Sequence, residues 1–177
     1  MPKQSLKDQV TRASFRSNIV DIATKELGYV EKHGNDTKYG AWFGLNGHPW
    51  CAMFVSWVYA EAAKATDCEN PLAGLQTSKG FAGVTSGFVA VKRRGWVLDE
   101  NESLMPGDIV FWDHDKIPGG NGHTGLVIAS NFTTIEGNTN TAFSRTGGSV
   151  CKHSHALKDG KHGVLLGFAR PTQKVGP

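Results

Sequence analysis

The hydrophobic pattern of this chain changes period once, near residue 105, and that switch restricts the fold more than any other feature. Before it, apolar residues recur at helical spacing. Phe15, Ile19, Ile22, Ala23 and Leu27 share one face of a helix expected over 14–27, and Gly28 stands where such a helix stops. A second helix is expected from Trp50 or Cys51 to about Lys64, burying Phe54, Val55, Val58, Tyr59 and Ala62, with Trp57 in the core. Residues 33–49 read as a glycine- and asparagine-rich loop. Residues 67–95 read as irregular, with short helices at 78–81 and 85–94. After Met105-Pro106-Gly107-Asp108 the apolar runs shorten and turns separate them, at 109–112, 124–129, 132–136, 149–155 and 164–170. Helices first and strands afterwards predict an α+β domain, with N-terminal helices packed on an antiparallel sheet of about five to six strands. The length of 177 residues suits one core. The expected layout is an extension over 1–13, the domain over 14–171, and a polar tail or linker over 172–177.

Charge and leader patterns narrow the partners. The net charge is +3, and Lys92-Arg93-Arg94 is a short cluster that reads as a solvated helix end. No nucleic-acid partner is expected, whereas a mild positive charge favours approach to an anionic polymer. Met1 to Val10 is polar and lacks the apolar centre of a signal peptide, and no run approaches the roughly 18 apolar residues of a membrane span. Three cysteines, Cys51, Cys68 and Cys151, make an odd count that is no disulfide framework, so Cys68 and Cys151 read as free structural thiols.

Cys51 differs from the other two in its position. It opens a helix, directly after Pro49-Trp50, where partial positive charge and unused amide donors favour a thiolate. A lone cysteine on an apolar helix is more often a small buried residue, so the downstream polar residues decide. His123 lies in Gly122-His123-Thr124-Gly125, where a glycine-rich loop enters an apolar strand. Its imidazole is a candidate base for the thiol, and such a base needs an orienting partner. Glu136 and Asn138, either side of Gly137, are candidates for that partner and for a supporting polar group, in either assignment.

Four segments taken together, Trp50-Cys51-Ala52, Gly107-Asp108-Ile109-Val110-Phe111-Trp112, Gly122-His123-Thr124-Gly125-Leu126-Val127 and Ile135-Glu136-Gly137-Asn138-Thr139, resemble a CHAP domain over roughly residues 14–171. That family comprises cysteine-, histidine-dependent amidohydrolases and peptidases. The resemblance implies a papain-like α+β fold and cleavage of an amide bond in peptidoglycan, without a cofactor. Carried over by position, Cys51 is the nucleophile, His123 the general base and acid, Glu136 the histidine orienter and Asn138 a supporting group. The implied setting is a phage lysin made in the host cytoplasm, acting on the cell wall after holin-dependent release or from the virion, and a monomer is expected. An NlpC-type endopeptidase, a secreted antibacterial effector, a small-substrate amidase and a non-catalytic wall-binding module are the alternatives.

The remaining polar and aromatic features carry weaker expectations. Some phage members of the family hold calcium in an aspartate-rich loop before the cysteine. Asn35-Asp36-Thr37-Lys38-Tyr39-Gly40 has one carboxylate and a lysine there, so no metal is expected. Cys151-Lys152-His153-Ser154-His155 places three potential zinc ligands at alternate strand positions but reads as a solvent-facing edge. Trp50, Trp112, Trp42 and His114 are candidates for lining a substrate cleft, since aromatic rings suit sugar faces and peptide stems.

Overall fold

A computed structural model describes residues 6–114, 122–142, 147–156 and 163–172. The first helix, α1 (Leu6–Lys25), starts well before the expected residue 14. Its early turns are polar and Val10 is exposed, so no apolar face marks them in the sequence. Phe15, Ile19 and Ala23 are buried as expected, and each large apolar side chain so placed stabilises the fold by about 1.5–3 kcal/mol. Leu27 is exposed instead, because the helix ends at Lys25 and the chain turns through Gly28, whose φ is +83°.

Residues 33–49 are not all loop. A short helix, α2 (Lys38–Phe43), lies within them, with the Thr37 side chain accepting from the Gly40 amide and Gly44 closing the end in a left-handed conformation. Helix α3 (Cys51–Ala65) runs through the centre of the molecule. Ten of its side chains are buried, including Ser56, which donates to the Phe81 carbonyl and accepts from the Phe81 amide. Both polar functions of this buried serine are therefore satisfied. Helix α4 (Val84–Arg93) ends in the solvated Lys92-Arg93-Arg94 cluster. Residues 78–81, expected to be helical, form a turn closed between Thr77 and Gly80.

The second half is one antiparallel sheet of five strands, β1 (Ile109–Asp113), β2 (Gly122–Ala129), β3 (Thr133–Thr139), β4 (Ser149–Ser154) and β5 (Val164–Ala169). Its order is β4-β3-β2-β1-β5, so β1 to β4 form a meander and β5 returns to pair with β1. Ile109, Phe111, Leu126 and Ile135 face the helices in the main core. Val110, Trp112, Val127 and Phe132 form a second apolar cluster with Leu104, Leu165 and Phe168. With both faces covered, β1 and β2 lack simple polar alternation, as the sequence runs suggested. The architecture is thus the expected α+β arrangement of helices on an antiparallel sheet. Among the described residues no helix is long and apolar enough to cross a membrane.

Candidate active site

Cys51 is the first residue of α3 and is 5% exposed. The residue before it, Trp50, makes no side-chain capping bond, so the first amides of α3 are not engaged by a cap. The start of the helix is fixed by Trp50 itself. Its indole N–H donates to Glu31 Oε2 at 2.7 Å, and its ring stacks on Tyr39 with centroids 5.2 Å apart. Trp50 is fully buried, so it anchors the helix and does not line a cleft.

His123 sits opposite Trp112 in the β1–β2 pairing, and the two rings stack 5.7 Å apart. Both are buried, so Trp112 is the wall that holds the imidazole and is not an open sugar platform. The Nε2 of His123 lies 2.8 Å from Glu136 Oε2 on β3. A carboxylate only accepts, so Nε2 carries the hydrogen and Nδ1 is the nitrogen left as base. Burial works against the charged imidazole, but hydrogen bonding with the Cys51 side chain and with Glu136, plus the charges of both, pushes the His123 pKa up to about 10. The structure therefore brings Cys51, His123 and Glu136 together from α3, β2 and β3.

Folding strengthens the hold of His123 on its proton, so the associated stabilisation is complete below the usual histidine value of 6.5 and disappears as the pH rises towards 10. Thermal denaturation is expected to show a falling Tm across that window. The fall should be smaller in His123→Gln, and equal slopes in the two proteins would contradict this assignment.

Asn138 does not contact His123 in the way Glu136 does. It lies at a register irregularity between Glu136 and Thr139, with φ +59° and 2% exposure. Its Oδ1 is buried without a hydrogen bond among the described residues. Of the two candidate orienters, Glu136 holds the ring.

Gly125, within the His123 segment, is required by close approach. An added Cβ would lie 2.4 Å from Glu136 Cγ. Gly125→Ala is expected to displace the carboxylate from His123 and lower kcat/KM by about a hundredfold. Overpacking would cost about 1–3 kcal/mol of stability. Unchanged turnover in a folded Gly125→Ala protein would show that the Glu136 position is not critical.

An open pocket of about 360 Å³ reaches Cys51, bounded by Leu45, His48, Pro49, Met53, Val84 and Gly122. None of the four expected aromatic residues is among its described lining. Trp42 is half-buried against the core, with Lys79 Nζ 5.5 Å from its ring centroid and donating to its carbonyl. His114 is half-buried with its ring centroid 6.1 Å from that of His123, so it is near the imidazole and outside this lining. Trp57, expected in the core, is half-buried against it.

The 149–155 segment is a sheet edge, but its histidines do not face solvent. Lys152 and Ser154 point outward while His153 is buried, and the His155 side chain is 1% exposed. His155 and Thr134 both reach Glu136, and sequence reading missed both. Among the described residues Cys68 and Cys151 are in no disulfide, and Cys68 Sγ lies 3.0 Å from Thr66 Oγ1. Burial, followed by the Glu136 charge, raises the Cys151 thiol pKa.

Comparisons with known proteins give three findings. No curated protein matches the sequence. Among solved structures, the chain is similar to an NlpC/P60 family protein from Bacillus cereus at 16% identity and a TM-score of 0.49, covering 88% of this chain and 40% of that one. The chain thus spans well under half the length of that protein. The model of the CHAP domain matches residues 43–138, more than half of the chain, a stretch that contains Cys51, His123, Glu136 and Asn138. On that match the chain belongs to the CHAP domain family, a family of cysteine-dependent hydrolases.

Proposed function

We propose that this chain hydrolyses an amide bond of bacterial peptidoglycan, with Cys51 as nucleophile. The observation that carries the reading is the continuous line from Cys51 at a helix start, through His123, to the buried Glu136 carboxylate. Nδ1 of His123 first takes the thiol proton, and the sulfur then attacks the carbonyl carbon as thiolate. The carbonyl electrons move to oxygen, and the Cys51 amide at the uncapped start of α3 is the candidate donor to that oxyanion. Collapse breaks the C–N bond, and His123 gives its proton to the departing amine. Water then attacks the thioester, His123 takes its proton, the C–S bond breaks, and the proton returns to sulfur. Glu136 keeps Nε2 protonated throughout and supports the imidazolium. We assign Asn138 the role of a supporting polar group on the family match over residues 43–138.

The net charge of +3 supports approach to an anionic wall. The biological setting we attach to this chemistry is phage-encoded lysis. Purified peptidoglycan of several wall types, incubated with the protein and analysed by mass spectrometry, tests the chemistry. Free muramic acid carboxyls identify an amidase, and new peptide termini an endopeptidase. Absence of cleavage in every wall type would move the small-substrate amidase ahead. Clearing of intact cells, applied from outside, tests the lysin role.

A further inference from the structure

The Glu136 carboxylate has a second side that the proposed chemistry leaves unused. While Oε2 faces His123, Oε1 accepts from the Thr134 hydroxyl and lies 2.8 Å from Nε2 of His155. The same Nε2 is 3.0 Å from Thr134 Oγ1. Glu136 and His155 side chains are 0% and 1% exposed, so water does not take the place of these donors. An ionised carboxylate offers only acceptors, and His155 therefore presents its Nε2 hydrogen to Oε1. Its ring is fixed between Phe132, 4.8 Å away, and Trp112, 5.2 Å away. Trp112 in turn stacks on His123, so one indole sets the separation of both imidazoles.

We propose that His155 is a positioning residue, which with Thr134 pins Glu136 Oε1 so that Oε2 stays aimed at His123 and the carboxylate stays ionised. The proposal rests on the reading of Cys51, His123 and Glu136 given above. A buried carboxylate stripped of a donor gains proton affinity, and a protonated Glu136 no longer supports the imidazolium. Other titratable or charged groups face this centre. They are Cys51 from α3, His114 after β1, Cys151 and His153 from β4, and the acidic Asp99, Glu100 and Glu102 across a cavity of about 880 Å³ that His155 also lines. None of the three acids is placed on the carboxylate as His155 and Thr134 are.

The test reads the thiol directly and needs no wall substrate. Iodoacetamide alkylation of Cys51 is followed across pH in the full chain, with mass spectrometry separating it from Cys68 and Cys151. His155→Leu is expected to move the acid limb of Cys51 reactivity up by about one pH unit, which slows alkylation about tenfold on that limb. His155→Gln, which restores an N–H at similar reach, should recover most of the loss, whereas a merely structural role would not be rescued in the pH profile. Superimposable profiles for the parent and a folded His155→Leu would overturn the proposal. If His155→Leu does not fold, Thr134→Val, which removes the other donor to Oε1, should move the limb in the same direction, and an unmoved limb overturns the proposal. A parent whose Cys51 reacts no faster than Cys68 at neutral pH overturns the active-site reading, and this inference with it. A fast parent with an unmoved His155→Leu limb overturns this inference alone.

Discussion

Cys51→Ala is expected to lower peptidoglycan hydrolysis by roughly a thousandfold or more while leaving the fold intact. The reaction needs a sulfur nucleophile, and a methyl group offers none. The side chain is small and lies at the mouth of a pocket, so its loss leaves little cavity. Stability should fall by about 1 kcal/mol or less. The double variant Cys51→Ala with His123→Ala should be scarcely less active than the single one, because the two side chains act as a unit. Product release measured by mass spectrometry on purified wall gives the rates. A Cys51→Ala protein that still cuts at the parental rate would remove the cysteine mechanism altogether.

Asp108→Ala is expected to produce the largest loss of stability. Asp108 is fully buried just before β1 and collects four donors. Arg16 of α1 lies 2.6 Å from Oδ1, and the Arg170 side chain donates to both oxygens at 2.9 and 2.8 Å. The Met105 amide donates to Oδ2 at 2.8 Å. Removing the carboxylate leaves two arginines facing each other without their shared counter-ion. The cost of breaking such a buried pair is about 3–5 kcal/mol. For a chain of this size that corresponds to a Tm lower by roughly 10 °C. Thermal and urea unfolding of Asp108→Ala measure it, and a change below about 1 kcal/mol would show that the arginines are held by other contacts.

β1, β2 and β5 were legible because two apolar clusters cover the sheet, so each of them reads as an apolar run bounded by turns. Helix α3 was legible for the same reason, being buried along most of its length. The first turns of α1 were not, since residues ahead of Phe15 have no face to bury. Helix α2 depends on the Thr37 cap and the Gly44 stop more than on periodicity, which six residues cannot display. At the site, Cys51, His123 and Glu136 each stand at a recognisable position, a helix start, a strand mouth and the next strand. His155 was hidden because the lysine and serine alternating with it give the segment a polar edge character. Its inward placement comes from the pairing of β4 with β3, which sets Cys151 opposite Glu136, and from the Trp112 and Phe132 rings beside it. Trp50 and Trp112 show the limit of residue type as a guide. An indole suits a sugar face and a protein core equally well, and only packing decides between them.

The return of β5 to β1 has a consequence for the order in which the molecule can form. The meander from β1 to β4 closes through neighbouring segments, whereas β5 pairs with β1 across about fifty intervening residues, and Arg170 follows it to clamp Asp108. Contacts of such long separation carry the greatest loop-closure cost and form late. During synthesis the sheet therefore remains open along β1, the strand that carries Trp112, until the last strand has emerged. The strand that carries the wall behind His123 gains its second neighbour only then.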